Sequence, residues 1–308
     1  MKILITGALG HIGSELIRKL PSSLDISKLI LIDNFSTQRF CSLFNIKNKK
    51  KIILIEDDIR KVNLEKILEK VDIVIHLAAI TDAAKSFSIS EEVEENNFQT
   101  TKLIADNALN TNTKLITLSS TSVYGTSKSV VDENCLVNDL NPQSPYAKTK
   151  LKEEDYVLRL SKNKNLKSVI LRFGTIFGIS PGMRFHTAVN KFCWQASWNQ
   201  PLTVWSTAYE QVRPYLDLKD ACNAISHIIK SNLFNGEIYN VLTLNASVKK
   251  VIDEIKKHKK DLFIKKVESK IMNQLSYNVS TEKFLKTGFK YEGSLEKGIE
   301  ETLSLLNN

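Results

Sequence analysis

Short aliphatic runs alternate with amphipathic stretches along the first half of the chain. Uninterrupted runs of Ile, Leu and Val are typical of strands buried on both faces, as in a parallel sheet that helices cover. The runs predicted as strands are residues 3–5, 29–32, 52–55, 73–75, 115–118 and 168–171. The stretches predicted as helices are residues 12–20, 64–69, 93–109 and 146–161. This alternation predicts an α/β fold built on a doubly wound parallel (Rossmann) sheet.

The pattern becomes irregular after Arg172 and richer in Trp, Pro and aromatic residues. We therefore expect two domains: a dinucleotide-binding Rossmann domain over residues 1–172 and a smaller, irregular α/β substrate-binding domain mainly over residues 173–308. Residues 236–241 are predicted to form a strand that returns to the first sheet. Helices are predicted over residues 248–257, 281–286 and 295–306.

Composition narrows the class of protein. With 42% hydrophobic and 25% charged residues, the chain is typical of a globular domain. It contains no apolar run of the ~18 residues that a membrane span needs, and its start lacks a signal-peptide cleavage pattern. The four cysteines are widely spaced without a CxxC pair, which indicates reduced, structural thiols and no metal site. We expect a cytoplasmic protein without a membrane partner.

The net charge of +9 raises the question of nucleic-acid binding. Most of the basic residues are scattered lysines, and the densest runs, at residues 47–51 and 256–260, are typical of solvated loop or helix faces. The surplus is suited to attracting an anionic small substrate. No nucleic-acid partner is predicted.

Three glycines near the start, Gly7, Gly10 and Gly13, are spaced as GxxGxxG. They follow a predicted buried strand and open a predicted helix, the context in which glycines bring backbone amides against a dinucleotide pyrophosphate. The plainer alternative is that they only permit a tight turn. We interpret them as a cofactor loop.

Asp33 ends the second predicted strand, 20 residues beyond Gly13. A carboxylate there accepts hydrogen bonds from ribose hydroxyls and repels a 2′-phosphate, which favours NAD over NADP. Arg39 supports the opposite preference, for NADP, because a guanidinium a few residues after Asp33 could reach such a phosphate.

Tyr146 and Lys150 are four residues apart and therefore share one face of a predicted helix. A cation close to a phenol stabilises the phenolate, which makes the phenol a usable general acid and base at neutral pH. A lone YxxxK match also occurs by chance on a solvated helix face. Upstream, LSSTSVYG over residues 118–125 follows an aliphatic run, so its hydroxyls are predicted at the carboxyl end of the sheet, where ligands bind in such folds.

Five motifs then carry a resemblance: TGALGHIG, HLAA, SSTSVYG, SPYAKTK and LRFGTIFG, in order from residue 1 to about residue 220. Together they resemble the extended short-chain dehydrogenases, the family of UDP-galactose 4-epimerase and other NAD-dependent nucleotide-sugar epimerases and dehydratases. The resemblance implies NAD as cofactor, a nucleotide sugar as substrate, and a homodimer paired through helices over residues 94–109 and 146–161.

The same resemblance implies residue roles. Tyr146 transfers the proton, Lys150 lowers the pKa of the phenol and binds the nicotinamide ribose, and Ser120, with Ser119 beside it, hydrogen-bonds the reacting hydroxyl. The residues implied to bind the cofactor are Gly7, Gly10, His11, Ile12, Gly13, Asp33, Asn34, Asp58, Ile59, Leu77, Ala78, Ala79, Asn97, Tyr146 and Lys150. Those expected to bind the substrate are Thr81, Ser120, Thr121, Thr175, Arg184, Asn190 and Arg213.

Several of these assignments have structural alternatives. His76, implied to line the cofactor cleft, fits equally a hydrogen-bonded histidine at a strand end. Asp58 could cap a following helix, and Arg213 could form a surface ion pair with a nearby carboxylate. Arg184 is a second candidate for binding the substrate's anion. The aromatic set could stack on a base, but is better interpreted as the core of the smaller domain: Phe185, Trp194, Trp198 and Trp205.

The substrate and reaction remain open between alternatives. Thr175 stands where galactose epimerases carry an asparagine, which puts UDP-glucose in doubt. The related 4,6-dehydratases carry an acidic pair in the two positions after the catalytic hydroxyl residue. This chain has Thr121 and Ser122 there. Because hydroxyls are poor general acids and bases at neutral pH, epimerisation is favoured over dehydration. Two other hypotheses are a dehydrogenase or reductase similar to threonine dehydrogenases, from the opening TGALGHIGSEL, and a silent dinucleotide-binding regulatory protein.

Overall fold

The computed structural model describes residues 1–125, 129–136, 139–268 and 276–307. None of the helices in these ranges combines the length and the apolar composition that crossing a lipid bilayer requires. The strands are β1 Lys2–Thr6, β2 Lys28–Asp33, β3 Ile52–Glu56, β4 Ile73–His76, β5 Lys114–Ser120, β6 Val130–Val131, β7 Ser168–Phe173, β8 Thr175–Phe177, β9 Leu202–Trp205, β10 Val212–Asp217, β11 Ile238–Val241, β12 Leu244–Ser247, β13 Ile264–Val267 and β14 Asn278–Val279. The α-helices are α1 His11–Ser23, α2 Leu64–Leu68, α3 Ser90–Asn110, α4 Pro145–Lys164, α5 Ala188–Ser197, α6 Leu218–Lys230, α7 Val248–His258, α8 Glu282–Leu285 and α9 Leu295–Asn307.

A seven-stranded parallel sheet organises the molecule, in the order β11-β7-β5-β4-β1-β2-β3. Its two faces carry separate apolar cores, with α1 and α6 packed on one and α2, α3 and α4 on the other. The order reverses between β1 and β4, which places a crevice at the carboxyl ends of these strands. The predicted Rossmann sheet is confirmed, including β11, which returns to pair with β7.

The prediction that every aliphatic run is buried on both faces is wrong for β3. Ile53 is 41% exposed and Leu54 is 40% exposed. β3 is the edge strand and pairs only with β2, so its faces are incompletely covered. A local run of Ile and Leu does not distinguish a central strand from an edge strand, because the distinction depends on strand order.

The second half of the chain builds a smaller unit around β8, β10 and β12, with α5, α7 and α9 packed over an apolar core. The predicted aromatic core is wrong in part. Trp198 is 67% exposed and Phe185 is 37% exposed, whereas Phe177, Phe192 and Tyr215 are the buried aromatics of this core. Trp194 and Trp205 are half-buried.

Candidate active site

A cavity of about 450 Å³ opens at the carboxyl ends of β1, β4, β5 and β7, between the large sheet and the smaller unit. It brings together residues that are far apart in the sequence. The predicted site residues that line it are Gly7, Gly10, His11, Ile12, Gly13, Leu77, Ala78, Ala79, Thr81, Ser120, Thr121, Tyr146, Lys150, Thr175, Arg184 and Arg213.

The glycine loop is shaped by two close backbone contacts. A Cβ at Gly7, where φ is +62°, would lie 2.7 Å from the Ala78 backbone, and one at Gly13 would lie 2.5 Å from the Ala8 carbonyl oxygen. Gly10 differs, since a Cβ there would meet nothing nearer than the Gly7 carbonyl oxygen at 3.3 Å. The loop therefore presents an open backbone surface to the cavity at the start of α1, which fits a pyrophosphate.

Asp33 lies beneath this loop and does not line the cavity. Its Oδ2 accepts a hydrogen bond from the Leu9 amide at 2.9 Å, and its Oδ1 accepts one from the Phe35 amide at 3.0 Å. Asn34 is exposed and accepts from the Ser36 amide instead of entering the cavity. Arg39 does line the cavity, and burial lowers its pKa, an effect that the Asp33 carboxylate opposes.

The proposed catalytic groups meet at the same wall of the cavity. Ser144 caps α4 by accepting from the Ala147 amide at 3.1 Å, so Tyr146 stands in the first turn of the helix. The Lys150 Nζ lies 6.0 Å from the centroid of the Tyr146 ring. At the end of β5, the Ser120 Oγ accepts hydrogen bonds from the amide and the hydroxyl of Ser122.

Lys150 has a buried partner that sequence reasoning missed. Its Nζ lies 2.8 Å from the Glu153 Oε2, and the two side chains are only 7% and 6% exposed. The same Oε2 accepts a hydrogen bond from the Thr101 hydroxyl of α3 at 2.9 Å. Burial, the largest single effect, favours the neutral amine, but the charge and hydrogen bond of Glu153 together with the charges of Tyr146 and Glu154 outweigh it and raise the pKa of Lys150. The i, i+3 spacing of a lysine and a glutamate on one helix was the available signal.

His76 ends β4 and is 4% exposed. Its Nδ1 lies 2.8 Å from the Thr6 hydroxyl. Burial, followed by the Lys150 charge, lowers the pKa of His76 to about 3, so the ring is neutral near pH 7. These contacts favour the interpretation of His76 as a hydrogen-bonded histidine at a strand end.

Arg213 faces the smaller unit's end of the cavity. Its guanidinium donates to the Gln211 Oε1 at 2.6 Å, and burial lowers its pKa. The Arg213 Nη1 also donates to the Val212 carbonyl oxygen at 3.1 Å, and Gln211 lines the same cavity.

Arg184 contributes a second guanidinium, whose Nη1 donates to the Thr81 hydroxyl. Its buried Nε has no hydrogen-bond partner among the described residues, and burial lowers its pKa. Five cationic side chains line the described cavity against one carboxylate, Asp82; they are Arg39, Lys150, Arg184, Lys191 and Arg213. Such a cavity is suited to a ligand with several negative charges.

Some predicted site residues lie outside the cavity lining and support it instead. Asn97 is buried and bonds both backbone groups of Ile80, fixing the segment after β4. Asn190 is also buried, accepting from the Gly178 amide and donating to the Arg184 carbonyl oxygen. Both were predicted to contact a ligand directly, and the structure does not bring either to the cavity surface.

Asp58 and Ile59 are likewise outside the lining. The Asp58 carboxylate binds the Arg60 guanidinium, which lowers the pKa of Asp58 to about 2, and Ile59 belongs to the apolar core. The alternative that Asp58 caps a helix is also not observed, because α2 begins at Leu64 with Asn63 as its cap. Thr121 lines the cavity, but its hydroxyl donates to the Phe173 carbonyl oxygen.

The segment after β8 closes on the glycine loop. A Cβ atom at Gly182 would lie 2.3 Å from the Leu9 carbonyl oxygen. The Gly182 amide donates to the Ser14 hydroxyl at 3.0 Å, and the His11 Nε2 lies 2.8 Å from the Gly178 carbonyl oxygen. The segment after β8 is thus held directly against the start of α1.

Comparison with known proteins identifies relatives of this architecture. The model of the "NAD dependent epimerase/dehydratase family" matches residues 3–241. The "Uncharacterized UDP-glucose epimerase YtcB" of Bacillus subtilis (strain 168) is 31% identical over 265 residues, covering 83% of this chain and 81% of that protein. The dTDP-D-glucose 4,6-dehydratase of Dictyostelium discoideum is 28% identical, covering 100% and 82%.

Solved structures agree with this result. UDP-glucuronic acid 4-epimerase from Bacillus cereus, in complex with UDP-glucuronic acid and NAD, superposes with a TM-score of 0.90 at 26% identity, covering 99% of both chains. UDP-N-acetylglucosamine 4-epimerase from Methanobrevibacter ruminantium M1 superposes with a TM-score of 0.84 at 25% identity, covering 98% of this chain and 97% of that one.

Proposed function

Because the chain belongs to the NAD-dependent epimerase/dehydratase family, we propose that it is an NAD-dependent nucleotide-sugar epimerase. One observation carries this proposal: the glycine loop, the Ser120–Tyr146–Lys150 set and the guanidinium of Arg213 line one cavity. A dinucleotide and a second anionic ligand can therefore meet at a phenol that is placed for proton transfer.

The residues present fit NAD. The open face of Gly10 and the amides at the start of α1 would hold the pyrophosphate, Asp33 the adenosine ribose, and Lys150 the nicotinamide ribose. When bound, NAD supplies acceptance and return of a hydride. A merely silent binding protein would have no need for the phenol and amine that line the same cavity.

In the proposed reaction, the Tyr146 phenolate takes the proton of a sugar hydroxyl and becomes a phenol as the carbon that bears this hydroxyl is oxidised. Ser120 orients that hydroxyl, and Lys150 stabilises the phenolate. The keto sugar then rotates within the cavity so that the opposite face of the carbonyl carbon is reduced. Tyr146 returns the proton to the oxygen in this step. Arg213 and Arg184 would hold the diphosphate and any further anionic group during this turn.

Epimerisation is favoured over dehydration by the groups next to Ser120. Thr121 and Ser122 supply hydroxyls instead of carboxylates, and the Thr121 hydroxyl is committed to a backbone oxygen. The carboxylate of the described lining, Asp82, accepts from the Ala84 and Lys85 amides at 3.0 Å. These two amides bind the Oδ1 of Asp82, and the positions directly after Ser120 supply no carboxyl group for the leaving hydroxyl.

The proposal is tested in two stages. Denatured protein should release NAD, identified by mass spectrometry. The holoenzyme is then incubated in deuterated water with UDP-glucose, UDP-glucuronic acid, UDP-N-acetylglucosamine and dTDP-glucose, and the products are examined by NMR. A stereoisomer without solvent deuterium at the inverted carbon supports an epimerase. A 6-deoxy-4-keto product carrying deuterium would replace the proposal with a dehydratase, and net formation of NADH would indicate a dehydrogenase.

We also propose that residues 1–172, with β11, serve the cofactor and that residues 173–308 mainly serve the substrate. A cytoplasmic homodimer is proposed, paired through α3 and α4, on which Phe98 and Tyr156 are half-buried and in edge contact with each other. Light scattering of the holoenzyme tests the dimer, with a monomeric mass as the contrary result.

A further inference from the structure

Glu153 places a buried carboxyl group directly behind the activating amine. Burial raises the pKa of Glu153, and the charge and hydrogen bond of Lys150, with the hydrogen bond from Thr101, oppose that rise and favour the carboxylate. Tyr146, Lys150 and Glu153 occupy positions i, i+4 and i+7 of α4, so they form one stripe along the helix. The first two line the cavity, while Glu153 lies behind them and is 4% exposed.

The carboxylate is held from two sides. The Lys150 Nζ and the Thr101 hydroxyl both lie within 2.9 Å of its Oε2. Its other oxygen, Oε1, is buried without a hydrogen-bond partner among the described residues. A carboxylate kept in so dry a place acts strongly on nearby charges, because solvent does not screen it.

We propose that Glu153 is a positioning residue that fixes Lys150 against α3 and offsets part of its positive charge, thereby raising the pH at which the Tyr146–Lys150 pair loses its first proton. This inference concerns the working pH of the site and rests on the proposed function only for the identity of the reacting groups. The sign follows from electrostatics, since a nearby negative charge strengthens proton binding at every group close to it.

Other titratable groups face the Tyr146–Lys150 pair and also affect the pH at which it loses a proton. His76 approaches from β4 and is neutral, and Glu154 on α4 is bound to Arg172. Arg184, in the segment after β8, interacts electrostatically with Tyr146. The Asp82 charge interacts with Arg184 as well. These remain in place when Glu153 alone is changed, so the change isolates one charge.

The test is a spectroscopic titration of NAD-bound protein, which needs no sugar substrate. The near-ultraviolet phenolate absorption is measured against pH for the wild type and for Tyr146→Phe, and the difference reports Tyr146. The same pair of measurements is made in the Glu153→Gln background. We expect the midpoint to fall by about one pH unit, within the range that a close buried charge produces.

Three further variants separate charge from packing. Thr101→Val removes the hydrogen bond and keeps the charge, so its shift should be much smaller than that of Glu153→Gln. Glu94→Gln removes an exposed carboxylate of α3, paired with Lys152, and should leave the midpoint unchanged. Glu153→Asp moves the carboxylate one methylene further from Lys150. It should lower the midpoint as Glu153→Gln does, but by less. It keeps the proposal testable if Glu153→Gln does not fold.

An unmoved midpoint in both Glu153 variants overturns the proposal. A rise also overturns it, because it would mean that Glu153 acts only by keeping Lys150 charged. Once a nucleotide sugar is shown to react, its pH–rate profile in Glu153→Gln should move to lower pH by a similar amount. Failure of every sugar would contradict the proposed function while leaving the titration result intact.

Discussion

At the scale of single residues, the chemistry depends on which polar atoms already have partners. The Thr121 hydroxyl donates to a backbone carbonyl oxygen and the Asp82 Oδ1 accepts from two backbone amides. Tyr146 and Ser120 line the same cavity, where the Ser120 Oγ accepts from the amide and the hydroxyl of Ser122. Residue type alone does not separate these cases, because a hydroxyl or carboxylate is available only when the local backbone leaves it so.

Tyr146→Phe removes the proton-transfer oxygen and preserves the shape of the ring. Turnover of the reacting nucleotide sugar should fall by roughly 10²–10⁴-fold, the usual contribution of general acid–base catalysis. NAD affinity should stay within a few-fold, whereas Lys150→Ala should reduce both turnover and NAD affinity. Steady-state kinetics and calorimetry measure the two effects, and undiminished turnover in Tyr146→Phe would remove it from the mechanism.

Asp33 gives a prediction about cofactor choice. NAD should bind at least about tenfold more tightly than NADP, since a 2′-phosphate beside this carboxylate would cost about 1.4 kcal/mol or more. Titration calorimetry with both cofactors measures the ratio. Arg39→Met should widen the preference, because Arg39 is the cation at this end of the cavity. Equal wild-type affinities would show that Arg39 outweighs Asp33.

At the scale of elements, α4 connects the site to the sheet through buried charge. The Arg172 guanidinium of β7 binds both oxygens of Glu154, at 2.8 Å from Nε and 2.6 Å from Nη2, and also donates to the Tyr124 hydroxyl. These contacts place α4, and with it Tyr146 and Lys150, at a defined height over β5 and β7.

Removing one member of this pair should therefore be costly. Glu154→Gln should lower the free energy of unfolding by about 3–5 kcal/mol, because it leaves the Arg172 charge buried and uncompensated. The matched control is Glu94→Gln, on an ion pair whose side chains are about half exposed, and its effect should be below about 1 kcal/mol. Urea unfolding of both holoproteins measures the two losses in the free energy of unfolding. Equal losses would contradict the stabilising role given to the buried Glu154–Arg172 pair.

Element prediction succeeded where one helix or strand carries its own pattern. All six aliphatic runs predicted as strands and the long helices α3 and α4 are confirmed. Helix α6 was missed, although it packs with α1 on the large sheet. Its segment follows β10 directly, and Asp217 both ends that strand and caps the helix, so no turn residues separate them.

At the scale of the whole molecule, the smaller unit is attached to the cofactor loop through backbone contact at Gly182. A Cβ there would lie 2.3 Å from the Leu9 and 2.6 Å from the Gly10 carbonyl oxygens. The loop and the segment after β8 therefore cannot be repositioned independently, which couples the cofactor side of the cavity to the side that carries Arg184.

Gly182→Ala should push this segment away from the loop. We expect NAD affinity to fall by about tenfold or more and stability to fall by about 1–3 kcal/mol, the usual cost of overpacking. Gly288→Ala is the control, since that site has a positive φ and open space around it. It should lower stability without changing NAD affinity by calorimetry. Equal effects on NAD affinity would show that Gly182 acts through stability alone.

The sequence by itself determined the strands of the sheet, the glycine loop and the Tyr146–Lys150 pair, because each is recognised from residues within a few positions of one another. Only the tertiary structure decided that Glu153 meets Thr101, that Gly182 abuts Leu9, and that Asn97 and Asn190 support the cavity without lining it. Those outcomes depend on how α3, α4 and the segment after β8 pack. Packing joins atoms that are 50 to 170 residues apart, as with Thr101 and Glu153 or Ser14 and Gly182, and no local pattern records such distances.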